Sequence, residues 1–336
     1  MPEIILKHAD FLAHCLSIDI EVDPGTARVF DLAAVPGDGG PAVRGGRGQV
    51  DAALDQVEAR MGKARLFASR LFAPRQAQIH YLIGHNILRH DLPHLAALRP
   101  RLAHAADAPI DTLWLNPLAF PRNPYHHLVK HYHDGRLQAG HVNDPEADAR
   151  LVFDVLDNQM TAFATLQSQA PHVVAAYHFL TAGGAQGAGF DAMFRHVRGA
   201  DVPSTDDAQH AVAQVLAGQV CTAAFGVVMD QIGSPTQRWP MAYAMAWISV
   251  SGGDSVMPPW VRLQFPDAAS MVKRLRDTAC GAPDCGWCRA NADPVAALSR
   301  WFGFDAFRTT PVDEAGRPPQ ERIVDEGMRG QSVLGI

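Results

Sequence analysis

The sequence predicts an α/β sheet domain followed by an all-helical domain. Three observations carry that expectation. Up to about residue 166, short runs rich in β-branched residues alternate with helical spacings, the pattern of helices packed on a sheet. From Pro171 onward no convincing strand pattern occurs, and only helical spacings remain. Three of the five cysteines, Cys280, Cys285 and Cys288, also fall within nine residues in the helical part. At roughly 150 residues per domain, the 336-residue length leaves room for two domains and a partial third.

The elements follow in order. Residues 15–23 (CLSIDIEVD) alternate apolar and polar and read as a strand. Pro24-Gly25 signals a turn and residues 29–35 return as a second strand, so a hairpin is expected. After a glycine-rich loop (36–48), helical spacing covers 49–61. Residues 79–84 read as a strand, 91–98 as a helix, 110–115 as another strand, 125–133 as a helix and 145–166 as a long helix. Helical patterns then cover 172–181, 206–231, 241–250 and 268–278, with a Gly/Ala-rich break at 181–189. The expected domains are 1–166, 167–299 and a short segment, 300–336.

Composition narrows the function. Hydrophobic residues at 47% and charged residues at 19% fit a packed chain and exclude a wholly disordered one. A net charge of −6 argues against a generic basic nucleic-acid coat protein, though not against a local basic surface. The first ten residues lack a signal-peptide core, and the longest apolar stretch, 240–250, falls short of the roughly 20 residues a membrane span needs. A cytoplasmic protein without membrane contact is expected. In that compartment clustered cysteines point to metal or redox chemistry more than to disulfides.

Asp19 and Glu21 stand two apart on the first strand, so both point to one face. Alone, such a pair is ordinarily a solvated face. Asp91 follows the strand at 79–84, and Asp148 lies near the start of the long helix. Four carboxylates can hold two divalent ions about 4 Å apart, the arrangement suited to phosphodiester hydrolysis.

The surrounding motifs resemble the DnaQ-like DEDD 3′–5′ exonucleases. SIDIEVD (17–23) is similar to their first motif. GHNILRHDLPHL (84–95), with His85-Asn86 and Asp91, is similar to the second, and NDPEADAR (143–150) to the third. The step from Asn86 to Asp91 looks more like the proofreading domains of family B polymerases. The resemblance covers about the first half of the chain. It implies an RNase H-like/DnaQ-like fold, Asp19, Glu21, Asp91 and Asp148 as ligands of two Mg2+ or Mn2+ ions, and removal of nucleotides from single-stranded DNA 3′ ends. The third motif departs from the family: Asn143 and Asp144 occupy the positions of the His or Tyr that orients the attacking water. Asparagine cannot act as a base at neutral pH. His141, two residues earlier, or a histidine among residues 125–133 is left for that role. A degenerate nuclease that binds or guides DNA, and an exonuclease directed at RNA, are the alternatives. Between residues 59 and 90, Arg60, Lys63, Arg65, Arg70, Arg75 and Arg89 occur without an acid, which suits either a phosphate-tracking rim or a solvated helix face.

The run CGAPDCGWC (280–288) gathers three thiols on a Gly/Pro loop, and Cys221 is the remaining cysteine in the same half. It falls inside the helical pattern 206–231. Cys15 lies on the first strand and reads as a core residue. One distant cysteine with three clustered ones resembles the iron–sulfur staples of AddB-type helicase-nucleases, which implies a [4Fe–4S] cluster; Zn2+ is the alternative. Either would staple the fold rather than catalyse.

RWFGFDAFR (300–308), Gln320 and GQSVLGI (330–336) resemble the opening of a RecQ-like helicase. That resemblance implies that Gln320 recognises the nucleotide base and that a helicase module follows in the same polypeptide. No GxxxxGK[ST] loop occurs in these residues, so no ATP hydrolysis is expected of them. The expected whole is a helicase–nuclease of DNA repair.

Overall fold

The computed structural model describes residues 7–67, 79–105, 108–123, 144–184, 186–250, 257–282 and 284–292, together with positions 126, 128, 132–133, 136–137 and 316. A short helix α1 (Ala9–Leu12) buries Phe11 and Leu12 and leads into β1 (Cys15–Val22). The hairpin expected after it forms: β2 (Val29–Pro36) pairs antiparallel with β1, placing Ala33 opposite Asp19 and Asp31 opposite Glu21. β3 (Val43–Gly45) continues the antiparallel side, and α2 (Val50–Phe67) packs on β3 and β2.

β4 (Tyr81–Gly84) pairs parallel with β1. After it come α3 (Asp91–Leu98), α4 (Pro100–Ala105), β5 (Pro109–Asp111), parallel to β4, and α5 (Thr112–Ala119). The sheet is therefore mixed, in the order β3-β2-β1-β4-β5, with β1 at its centre. The strand expected over 110–115 ends at Asp111. The Asp111 carboxylate accepts the amides of Leu113 and Trp114 and so caps a helix in place of more strand.

The helix expected over 125–133 is also corrected where it is described. Tyr132–His133 (β6) pairs antiparallel with Arg136–Leu137 (β7). Next, α6 (Pro145–Gln169) has Asp144 as N-cap and proline at its start, and it packs across β1 and β2. α7 (Pro171–Ala182) and α8 (Ala188–Arg198) pack on each other and on α6, with Phe163 and Phe194 rings 5.0 Å apart. The helix expected over 206–231 is two helices, α9 (Thr205–Leu216) and α10 (Thr222–Ile232). Gly218, at φ +71°, breaks the run in a left-handed turn, and Cys221 becomes the N-cap residue of α10.

The remaining helices are α11 (Pro235–Val250), α12 (Pro259–Gln264), α13 (Pro266–Asp277) and α14 (Gly286–Ala292). Contacts group the chain into one unit within Met1–Phe120 and Tyr125–Ala211 and another within Pro121–Pro124 and Val212–Ile336. α7 and α8, which follow residue 166, belong to the first unit because they pack on α6. The first unit's core is Leu16, Ile18, Leu32, Leu54, Ile83 and Phe163, all fully buried. In the second, Tyr243 of α11 packs against Trp239, Trp260 and Phe265, while Met271 and Leu275 of α13 are buried. Among the described residues no helix is long and apolar enough to cross a membrane.

Candidate metal centres

In the first unit, β1 brings Asp19 and Glu21 to one face of the sheet, with Ile18 and Ile20 buried on the other. α6 crosses β1 and supplies Asp148 from its first turn. One ligand atom from each of Asp19, Glu21 and Asp148 lies within 4.8 Å of the other two. Asp148 is only 6% exposed. Like charges this close repel by several kcal/mol at a protein's effective dielectric, roughly 4 kcal/mol for a pair at 4 Å. A bound divalent cation would convert that repulsion into attraction.

The start of α6 is fixed from outside the group. Asp144 caps Glu146 N–H at 3.2 Å, and Arg44 of β3 pairs with Asp144 at 3.0 Å and with Glu146 at 3.9 Å. Asp144 is thus committed to the helix end. The helix N-terminus in turn favours the negative charge of Asp148.

Asp91 stands outside the three-carboxylate group but beside the same stretch of β1. It is 3% exposed, and its Oδ1 accepts the Ile20 amide, the one between Asp19 and Glu21, at 3.2 Å. Its Oδ2 lies 3.7 Å from His90 Nδ1. The Asp91 side chain raises the His90 pKa above its ordinary value, and the negative charges of Asp19 and Glu21 add to this against partial burial.

The loop joining β4 to α3 hangs on Asp111, a residue sequence reasoning passed over. Its fully buried carboxylate accepts Asn86 N–H at 2.9 Å and Leu88 N–H at 3.1 Å, in addition to the two amides of α5. Burial pushes its pKa up to about 7, against the four amide bonds that favour the anion. Asn86 adopts φ +66°, a left-handed conformation that asparagine tolerates better than most residues. Thr112 Oγ1 donates to the Gly84 carbonyl at 3.2 Å and lies 2.9 Å from His85 Nδ1. The Asp-Thr pair at the end of an apolar run was the signal for this cap. Asp31 was missed too: it faces Glu21 across the hairpin, and its Oδ1 is buried without a hydrogen-bond partner among the described residues. Only the strand register reveals it.

Several sequence candidates lie outside the described residues: His141, Asn143, Arg70, Arg75, Gln320 and nearly all of residues 300–336. The side chains of Lys63 and Arg65 lie outside them as well, while Arg60 is half-buried on α2 and Arg89 is exposed.

The second unit holds the cysteines. Cys221 ends the turn before α10, Cys280 follows α13, and Cys285 and Cys288 flank the start of α14. Their four Sγ atoms lie within 4.8 Å of one another. Cys280 and Cys288 are 3.6 Å apart, Cys221 and Cys288 3.6 Å, and Cys221 and Cys285 4.0 Å. Gly281, at φ +66°, turns the chain so that Ala282 N–H meets Cys280 Sγ at 3.4 Å, while Cys280 N–H meets Cys221 Sγ at 3.2 Å. Trp287 Nε1 donates to the Gln219 carbonyl at 3.0 Å and ties α14 to the turn that presents Cys221.

Burial works to raise the Cys221 thiol, but the Ala223 amide and the Cys280 thiol and amide draw it down to about 7. The Ala282 amide likewise favours the Cys280 thiolate, yet its three sulfur neighbours push that thiol up to about 12. Cys15 is fully buried in the first unit, where its thiol faces the Phe11 carbonyl at 3.7 Å. No family model, no curated protein and no solved structure matches the chain.

Proposed function

We propose that the first unit is a metal-dependent 3′–5′ exonuclease acting on single-stranded DNA. The observation that carries this reading is the convergence of Asp19, Glu21 and Asp148 from a strand and a separate helix. The mixed sheet, antiparallel on one side of β1 and parallel on the other, supports the RNase H-like expectation. The resemblance of its three motifs to DnaQ-like exonucleases supplies the reaction.

An all-oxygen donor set suits hard divalent ions such as Mg2+ or Mn2+. Asp19, Glu21 and Asp148 would hold them, with Asp91 as the fourth carboxylate. Ions held there would supply an activated water and stabilisation of the leaving oxygen. The chain's own part is positional. Asp111 fixes the loop that carries His85 and Asn86, and Arg44 fixes the end of α6 that carries Asp148. His141 would take the proton from the attacking water.

The cysteine-bearing unit would serve as a metal-stapled support, with Gln320 and a helicase module continuing the same polypeptide. Such a protein would work on DNA in the cytoplasm, in repair.

One observation favours a second reading. Asp144, in one of the two positions where the family keeps its water-orienting residue, is tied up in capping α6 and pairing with Arg44. A degenerate nuclease that binds or guides DNA would need no such residue. The test is a 5′-labelled single-stranded DNA incubated with the protein and Mn2+. Progressive shortening from the 3′ end, with matched RNA left intact, supports the proposal. Degradation of RNA instead selects the RNA-directed reading, and binding of DNA without cleavage selects the degenerate one.

A further inference from the structure

We propose that Cys221, Cys280, Cys285 and Cys288 hold one tetrahedral zinc ion and not the [4Fe–4S] cluster that the resemblance to AddB-type staples implies. The sulfur geometry separates the two. A single ion with Zn–S bonds of about 2.3 Å sets its four thiolates at the corners of a tetrahedron with edges of roughly 3.8 Å. In a cubane each thiolate binds a different iron and points away from the cube, so the sulfurs stand on the order of 6 Å apart. The sulfur separations here are 3.6, 3.6 and 4.0 Å, and no pair of the four exceeds 4.8 Å. Four thiolates therefore surround a space fit for one ion.

Three further features agree with a closed structural zinc site. The ligand set is complete from this chain, which leaves no open position for a substrate. Two amides, those of Cys280 and Ala282, donate to ligand sulfurs and offset part of the excess negative charge of a tetrathiolate. The left-handed Gly281 and the Trp287–Gln219 bond hold the ligand loops at this separation. Each ligand enters as a thiolate, so binding releases the protons of the thiols that were still protonated, and no electron is transferred.

This inference is independent of the nuclease reading, and its test does not use nuclease activity. The whole chain is purified anaerobically from iron-supplemented cells and analysed for zinc, iron and acid-labile sulfide. The expected result is about one zinc per chain, with neither iron nor sulfide and no brown absorption. Replacing the zinc with Co2+ should give the intense visible bands of a tetrahedral tetrathiolate, and Cys280→Ser should lower the zinc content. About four irons and four sulfides per chain, with a broad brown absorption, would overturn the proposal. So would metal-free protein with all four thiols free to react. The metal and sulfide analysis and the Co2+ spectrum use the wild-type chain, so the test stands even where Cys280→Ser fails to fold.

Discussion

At the scale of single residues, the carboxylates divide into those that converge and those that hold the frame. Asp19 and Glu21 were legible because a strand's period of two places them on one face whatever else the chain does. Asp148 was legible only through its motif, since nothing local says that the first turn of α6 crosses β1. Asp111 and Asp31 were hidden for opposite reasons. Asp111 sits at the end of an apolar run, where continuing a strand and capping a helix compete, and four amide bonds decide for the cap. Asp31 depends on the register of a pairing across the hairpin. Asp111→Asn places an amide N–H against the Leu88 N–H or removes the acceptor for three others. It is expected to cost roughly 2–4 kcal/mol in urea unfolding. An unchanged midpoint would show that the loop does not hang on this carboxylate.

At the scale of elements, the long helical pattern over 206–231 shows why periodicity misleads. Apolar spacing runs on across Gly218, yet the chain turns there and presents Cys221 at a helix N-terminus. α8 was readable but overlooked: its apolar residues Phe190, Met193 and Phe194 have helical spacing, and Gly199 closes it in a left-handed cap. α8 also pairs with α7 through His178, whose side chain is fully buried between charges. Arg198 donates to His178 Nδ1 at 2.6 Å, and Nε2 meets Asp191 at 2.8 Å. The ring is therefore neutral, with its proton on Nε2.

Burial lowers the His178 pKa below its usual 6.5, and Arg198 and Arg195 act the same way against the opposing pull of Asp191. A depressed histidine stabilises the fold above the unfolded-state value and loses that contribution as pH falls through it. The thermal unfolding temperature of the wild type should therefore drop as pH falls below about 6.5, and the drop should be smaller in His178→Gln. Equal drops would remove His178 from the account. A metal ion held by the four cysteines would act at the same scale, joining Cys221 to Cys280 across 59 residues. By the loop-closure estimate used for disulfides, a link of that span is worth on the order of 4 kcal/mol. Stripping the ion with a strong chelator should lower the melting temperature of the second unit by several degrees, and re-adding zinc should restore it.

For the whole molecule, the sequence anticipated an α/β sheet portion followed by helices, and the structure has that order. The hairpin, the parallel strand behind it and the long α6 were readable because each is a periodic segment bounded by turn or cap residues. The spatial grouping was not, because α7 and α8 look in sequence like the start of a helical domain and join the first unit through tertiary packing, α7 on α6 and α8 on α6 and β5. The two candidate metal centres differ in kind as well as place, one built of oxygens around a sheet strand and the other of sulfurs around helix ends. Their responses should separate accordingly. Mn2+ or Mg2+ should govern catalysis without restoring a chain stripped of zinc, and zinc should restore stability without supporting cleavage.

The claim at the centre of this account is that Asp19, Glu21 and Asp148 hold catalytic divalent ions. The initial rate of Mn2+-dependent hydrolysis of single-stranded DNA, measured side by side for the wild type and Asp148→Asn, tests it most directly. The account predicts cleavage by the wild type that vanishes on chelation. In the variant it predicts a fall of at least a hundredfold, equivalent to roughly 3 kcal/mol of lost transition-state stabilisation, with the folded structure intact. Equal rates in the two proteins, or no cleavage by a wild type that binds the DNA, would contradict it.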